Sequence, residues 1–410
     1  MPASPIRRLM PLAEEAKRRG THVYHLNIGQ PDLETPPAMR ERLAKLKDRT
    51  YAYSPSGGTP EYLASLQEYY GRLGVPLAAN ELIATTGGSE AILFSFIACA
   101  NEGDEVLVVE PYYTNYNSFA AMAGVRLVAL TASGEDGFHL PSREAWQKAL
   151  TPRTRLVILC NPNNPTGTVY TREEIERVAE LCRNRGLFLV LDEVYREFVY
   201  DGRSSQSGLT LPGFERQIIV VDSLSKRYSA CGIRLGALAT RNREVHEACL
   251  RMAQGRLSPP GLAQFVAVGA TELGSDYFAG VVSEYQKRRD LLYEGLRKIP
   301  GVFLAKPEGA FYFVARLPID DGDEFAKWLL TDFSHEGGTV MVAPASGFYA
   351  TPGRGKNEVR IAYVLKAEDL DASVRILAAG LEEYGQTKHP VAPGVAEATP
   401  DPDFAVPNGT

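Results

Sequence analysis

The chain is poor in the residues that mark several protein classes. Its five cysteines, none in Cys-x-x-Cys spacing, argue against a disulfide framework or a zinc ribbon and fit reduced thiols in a cytoplasm. The six histidines are scattered, with only His22 and His25 close together, so no metal site is expected. The most apolar stretch, residues 91–100, falls well short of the roughly 20 residues a membrane helix needs. The first residues carry basic side chains but no apolar block, so no secretory signal is expected. Positive charge is not in excess: 44 Lys and Arg stand against 50 Asp and Glu, a net charge of −6. That balance argues against nucleic-acid backbones and anionic lipid as partners.

What is present is an ordinary globular composition, 44% hydrophobic and 23% charged. A length of 410 residues allows two to three domains. A first helix is expected over 6–19 and an extended segment over 22–28. From about residue 80, short apolar runs (ELIATT, EVLVVE, VRLVAL, RLVILC, LFLVLDE) alternate with longer amphipathic stretches. This alternation predicts an α/β domain with a largely parallel sheet. QIIVVDS and LGALAT add two strands, and three helical stretches fill about 241–298. The pattern then changes to α+β: a strand pair in GVFLAKPEGAFYFVARL, a helix near 323–335, the strands TVMVAP and EVRIAYV, and a closing helix over 367–384. The division expected is an N-terminal segment (1–40) packing with a small domain, a large domain (41–283), the small domain (284–385) and a disordered Pro- and Ala-rich tail (386–410).

Four segments carry chemistry, each after a predicted strand. In DSLSKRYSACGIRLG (222–236), Lys226 follows a core strand, where desolvation lowers an ammonium pKa and frees the amine for Schiff-base chemistry. Arg234 offers a fixed fork suited to phosphate and Ser223 a hydroxyl donor. In LVLDEVY (189–195), Asp192 lies at a strand's C-terminal end, where open α/β sheets build their sites. A carboxylate there can keep a pyridine nitrogen protonated, and it can equally cap a helix. Tyr195 can hydrogen-bond a phenolic oxygen. In CNPNNPTG (160–167), Asn164 can donate to an oxygen anion. In TGGSEA (86–91), Gly88 and Ser89 open a helix whose N-terminus favours a phosphate. A phosphate, a ring nitrogen, a ring oxygen and an aldehyde for Lys226 are the four features of pyridoxal phosphate.

The chain resembles the class I/II aminotransferases, the fold-type-I pyridoxal-phosphate enzymes, over about residues 22–383. NIGQPD, YSPSGGTPE, TTGGSEA, EPYYTNY, NPNNPTG, DEVY, SLSK, GIRLG and NEVRIAY occur in the family's order. The resemblance implies a large domain with a mostly parallel seven-stranded sheet flanked by helices, and a smaller α+β domain. It implies that Lys226 holds the cofactor as a Schiff base and shuttles the proton. It places Asp192 at the ring nitrogen, Tyr195 and Asn164 at the ring oxygen, and Gly88, Ser89, Ser223 and Arg234 at the phosphate. Tyr113, beside the similar Tyr112, matches the aromatic stacked on the ring. Arg360 matches the arginine gripping the substrate α-carboxylate, Gly29 a backbone contact to substrate, and Tyr53 a tyrosine reaching the phosphate of the neighbouring subunit. A homodimer with shared sites follows.

The activity implied is transfer of an amino group from an L-amino acid to a 2-oxo acid such as 2-oxoglutarate, with aspartate the first expectation for donor. A dicarboxylate needs a second cation. Some relatives have Lys after Gly-Gly where this chain has Ser89, and Arg256, before Ser258, is the alternative for a distal carboxylate or an interface. The same cofactor site also serves β-lyases and other fold-type-I reactions, because the cofactor carries the chemistry.

Overall fold

The computed structural model describes residues 7–388. Among these described residues, thirteen strands lie in three sheets. They are β1 (His22–His25), β2 (Leu82–Thr85), β3 (Glu105–Glu110), β4 (Arg126–Thr131), β5 (Thr154–Cys160), β6 (Phe188–Asp192), β7 (Ile218–Ser223) and β8 (Gly236–Thr240). The remainder are β9 (Phe303–Leu304), β10 (Tyr312–Arg316), β11 (Gly338–Met341), β12 (Ala343–Pro344) and β13 (Glu358–Ala362).

The large sheet has seven strands in the order β2-β8-β7-β6-β5-β3-β4. Strands β3 to β7 pair in parallel, and only β8 runs against its neighbours. Its strands are near-continuous apolar runs because both faces are covered. Alternation divides them between two cores. Val106, Val108, Leu156, Ile158, Val190 and Ile219 face one cluster, which holds Ile92 and Phe96 of the helix Gly87–Cys99. Leu107, Val109, Val157, Leu159, Leu189 and Val220 face the other, with Tyr62, Leu66 and Tyr70 of the helix Pro60–Arg72. The outcome that matters for function is polarity. Thr85, Glu110, Cys160, Asp192 and Ser223 all end their strands on one edge, and Gly236 begins β8 there, paired with both Thr85 and Ser223.

A second body has its own core, formed by Leu9, Ala13, Ala16, Phe325, Leu329, Leu377 and the apolar side chains of β10, β11 and β13. It contains the antiparallel sheet β12-β13-β10-β9 and the parallel pair β1-β11. Leu26 joins the two sheets: its N–H donates to the Met341 carbonyl at 3.0 Å, and its own carbonyl accepts the Ala362 N–H at 2.7 Å.

Several elements differ from the sequence-based expectation. The first helix is Met10–Arg18, shorter than 6–19, because Pro11 sits in its first turn, where a missing N–H costs nothing. The run TVMVAP is two strands in two sheets, β11 on β1 and β12 on β13, since Leu26 takes up the Met341 carbonyl between them. The helix Pro60–Arg72 was not expected at all. Thr59 caps it by accepting the Tyr62 N–H, and its buried stripe is narrow and largely tyrosine, a weak apolar signal. The helix expected at 323–335 is Gly322–Thr331, and the closing helix runs on to Lys388. The tail expected from 386 is therefore helical at its start, and its remainder lies outside the described residues.

A buried charged cluster braces the end of β7. Arg227 donates to both Asp222 carboxylate oxygens, at 2.5 and 2.9 Å, and its guanidinium lies 4.1 Å from the centre of the Tyr69 ring. Burial alone raises the Asp222 carboxyl, and the Arg227 and Arg196 charges outweigh it, holding the pKa below the usual carboxylate range. Asp222→Asn strands the Arg227 charge, with an expected loss of about 3–5 kcal/mol in unfolding free energy from denaturant titration. The double variant Asp222→Asn with Arg227→Met should recover most of it. A double variant no more stable than the single one would contradict this account.

Candidate active site

A cavity of about 620 Å³ opens at the carboxyl edge of the large sheet, against the second body. Its lining brings together Gly29, Gly88, Ser89, Tyr113, Asn164, Asp192, Tyr195, Ser223, Lys226, Arg234 and Arg360. These come from segments far apart in sequence, and the sheet polarity assembles them.

Asp192 is buried at the end of β6. Its Oδ2 accepts the Tyr116 hydroxyl at 2.8 Å, and its Oδ1 accepts the Val194 N–H at 3.4 Å. Burial pushes its pKa up to about 6, and the Tyr116 and Val194 hydrogen bonds oppose this only in part. Among the described residues it has no ion-pair partner, and its largest influences after burial are those two hydrogen bonds. A buried carboxylate held this way favours a cationic N–H as a partner, as a protonated pyridine provides.

Lys226 lies in the single helical turn Leu224–Arg227. Its Nζ donates to the Gly29 carbonyl at 2.6 Å and sits 3.8 Å from the Cys231 sulfur. Burial lowers its pKa, the Cys231 thiol opposes this, and the Arg360 and Arg234 charges add to it. An amine of depressed pKa within the cavity is the nucleophile an aldehyde requires. Gly29 leaves no room for a side chain: a Cβ there would lie 1.7 Å from the Tyr312 hydroxyl.

Gly88 and Ser89 stand in the first turn of the helix Gly87–Cys99, whose free N–H groups favour an anion. Arg234, in the left-handed region at φ 53°, brings its guanidinium over Gly87, where a Cβ would lie 2.7 Å from Nη2. Ser223 lies across from them at the end of β7. Two hydroxyls, a helix N-terminus and a guanidinium make a donor set for a phosphate.

The Asn164 amide donates to the Tyr195 hydroxyl at 3.5 Å, and Tyr195 shares a 2.8 Å hydrogen bond with Tyr312. Arg360, on β13, is buried. Its Nη1 donates to the Asn164 side chain at 3.1 Å and its Nη2 to the Asn27 carbonyl at 2.6 Å, while Nε has no partner among the described residues. Burial lowers its pKa, and only tyrosines oppose this. A buried guanidinium without a carboxylate is a receptor for one. Of the adjacent tyrosines, Tyr113 lines the cavity, whereas Tyr112 is buried with its hydroxyl on the Asn117 side chain at 2.9 Å.

Two residues lie outside this cavity within one chain: Tyr53, expected at the neighbouring subunit's phosphate, and Arg256, expected at a distal carboxylate or an interface. Tyr53 is 79% exposed and does not line the cavity. Arg256 does not line it either. Its Nη2 donates to the Ser56 and Ala84 carbonyls at 3.0 and 3.3 Å, and Nη1 is 3.5 Å from Glu90. Within one chain, Arg256 thus ties the Ser56 carbonyl to that of Ala84 on β2, and its Nε and Nη1 have no hydrogen-bond partner among the described residues. Sequence reasoning missed Tyr116, Tyr312, Cys231 and Arg7, all at the site. Tyr116 was within reach as the last residue of EPYYTNY. Tyr312 had no local signal, because its place comes from β10 pairing beside Arg360.

Asp192 gives a pH prediction. Its pKa is raised on folding, so its stabilising contribution is full below about pH 4 and lost as pH rises through about 6. With cofactor removed, the wild type should lose up to about 3 kcal/mol relative to Asp192→Asn between pH 4 and 7.5, followed by urea unfolding. A difference that stays constant with pH would remove the burial argument.

The aminotransferase class I and II family profile matches residues 21–377. The chain is 34% identical to the aspartate/prephenate aminotransferase of Thermus thermophilus over 367 residues, covering 87% of this chain and 91% of that protein. It is 31% identical to a probable aspartate/prephenate aminotransferase of Aquifex aeolicus, covering 93% and 96%. Among solved structures, the Thermus thermophilus aspartate aminotransferase with maleate superposes with a TM-score of 0.83 at 30% identity, covering 93% and 97%. The alanine aminotransferase of Pyrococcus furiosus superposes with 0.85 at 29% identity, covering 93% and 98%. With this match across the fold and the assembled cavity, the chain belongs to the class I and II aminotransferases, pyridoxal-phosphate-dependent enzymes that transfer amino groups.

Proposed function

We propose that this enzyme moves the amino group of an acidic L-amino acid, aspartate first, to a 2-oxo acid such as 2-oxoglutarate. The observation that carries the reading is the sharing of one cavity by an amine of lowered pKa, Lys226, and a buried guanidinium without a carboxylate, Arg360. When bound, pyridoxal phosphate supplies an aldehyde that condenses with amines and a ring that withdraws electrons from the attached carbon. Asp192 keeps the ring nitrogen protonated. Tyr195 and Asn164 hold the ring oxygen, and Tyr113 lies on the ring face. Gly88, Ser89, Ser223 and Arg234 hold the phosphate. Arg360 grips the substrate α-carboxylate and fixes its orientation. With the cofactor bound, Lys226 Nζ would be the base that takes the proton from the substrate α-carbon and holds it for return. The aspartate/prephenate relatives and the maleate-bound neighbour support an acidic substrate.

The working unit proposed is a cytoplasmic homodimer with shared sites. Supporting it, Leu43, Tyr51, Tyr53, Leu257 and Leu262 are large exposed apolar side chains. The loop carrying Tyr53 is tied to the 257–262 segment, with Ser56 donating to the Leu257 carbonyl at 2.6 Å. In the dimer Tyr53 reaches the partner's phosphate. The five cysteines are free thiols, as a reducing compartment maintains them. No helix among the described residues is long and apolar enough to cross a membrane. The domain division proposed remains 41–283 for the cofactor and 284–385, with residues 1–40, for the substrate side.

Borohydride reduction of the yellow holoenzyme should attach the cofactor irreversibly to Lys226, as read by peptide mass, and Lys226→Ala should lower transamination by at least about a thousandfold. In a panel of donors against 2-oxoglutarate and pyruvate, aspartate should give oxaloacetate fastest. Steady release of ammonia and pyruvate without an acceptor would mark a lyase instead. Tyr53→Phe should weaken cofactor retention roughly tenfold, measured by absorbance during dialysis, a loss of about one hydrogen bond. Unchanged retention counts against the cross-subunit contact.

A further inference from the structure

Glu110, in the EPYYTNY segment, is a buried carboxylate with no part in the chemistry above. It ends β3 on the same edge of the large sheet as Cys160 and Asp192, yet it does not line the cavity. A carboxylate out of water needs donors for its oxygens. One donor is local: the hydroxyl of Thr131, its partner on β4, donates to Oε1 at 2.7 Å. The other two come from the second body. The Ala350 and Thr351 N–H groups donate to Oε2 at 2.7 and 3.0 Å. Two residues beyond Glu110, the Tyr112 N–H donates to the Phe348 carbonyl at 2.9 Å.

Residues 348–351 lie in the connection from β12 to β13, the strand that carries Arg360. Two side chains of this connection bond within the second body: Ser346 donates to Asp323 and Tyr349 to Glu358, each at 2.6 Å. The bonds to Glu110 and Tyr112 tie it instead to the large sheet. Phe348, buried at the head of the segment, sets its ring against Arg360, whose guanidinium carbon lies 5.0 Å from the ring centre. The Tyr312 ring centre is 4.5 Å from the same carbon. Aromatic faces hold the plane of a guanidinium, and a two-pronged grip on a carboxylate depends on that plane.

We propose that Glu110 is a positioning residue for the substrate α-carboxylate. By capping residues 348–351 it seats Phe348 against Arg360, and so fixes the plane in which Arg360 receives the carboxylate. This rests on the reading of Arg360 given above. Glu110 itself touches neither substrate nor cofactor.

The test is steady-state kinetics of the holoenzyme with aspartate and with alanine, which share the α-carboxylate. Glu110→Ala leaves two N–H groups without their acceptor, and KM for both donors should rise about tenfold while kcat changes less than about twofold. Cofactor absorbance and retention in dialysis should match wild type. Glu110→Gln should restore most of the KM, since its amide oxygen accepts both N–H groups while its NH2 donates to Thr131. In a Phe348→Ala background, Glu110→Ala should add nothing further. A wild-type KM in Glu110→Ala, effects that multiply in the double variant, or cofactor loss in step with KM each overturn the proposal. Should Glu110→Ala fail to fold, Phe348→Leu leaves the cap in place and tests its far end, where an unchanged KM overturns the proposal as well. Arg360→Lys separates the two readings. A wild-type KM there sinks the role of Arg360 and this proposal with it, whereas a raised KM beside an unaffected Glu110→Ala sinks this proposal alone.

Discussion

The site depends on a carboxylate taken out of water without a cation beside it. Asp192 sits at the buried end of a parallel strand, held by one phenol and one amide. Left alone, it gives ground toward the protonated form, its pKa raised to about 6. A ring that brings its own positive nitrogen reverses that preference, so the same burial that penalises the bare carboxylate favours the cofactor in its electron-withdrawing form. The parallel sheet is what makes this placement available. Antiparallel β8 breaks the pattern only to return the chain, so that Arg234 arrives beside Gly87 and Ser223.

Labour is divided between two bodies. The large sheet and the turns after its strands bring Asp192, Ser223, Lys226 and Arg234 to the cavity, while Arg360 of β13 and the Gly29 segment line it from the other side. Lys226 is the meeting point, since its Nζ reaches across to the Gly29 carbonyl. Tyr312 reinforces the junction by filling the space a side chain at residue 29 would need, and by bonding Tyr195.

Much of this was legible in the sequence. The strand–helix rhythm from residue 80 and the polar segments that follow its strands named the sheet and the cofactor side, because local chemistry at a strand end is written in contiguous residues. Asp192, Lys226, Arg234 and Asn164 belong to that class. The substrate side was harder. Tyr312 lies in a strand whose apolar pattern reads as core, and only its register against β13 places it beside Arg360. Arg7 lines the cavity and carries no motif. Arg256 stands apart from the cavity within one chain, its Nη2 on the Ser56 and Ala84 carbonyls, and residue type beside a loop gives no register for it.

The pairing of β1 with β11 joins His22 to Gly338 across most of the chain. During synthesis the last strand of the large sheet ends at Thr240, nearly a hundred residues before β11 begins. Until then the N-terminal strand has an unsatisfied edge, open to any other strand nearby. The side chains of the large sheet that line the cavity are therefore all translated before Arg360, whereas the pairing of β1 with β11 is a closure of high contact order.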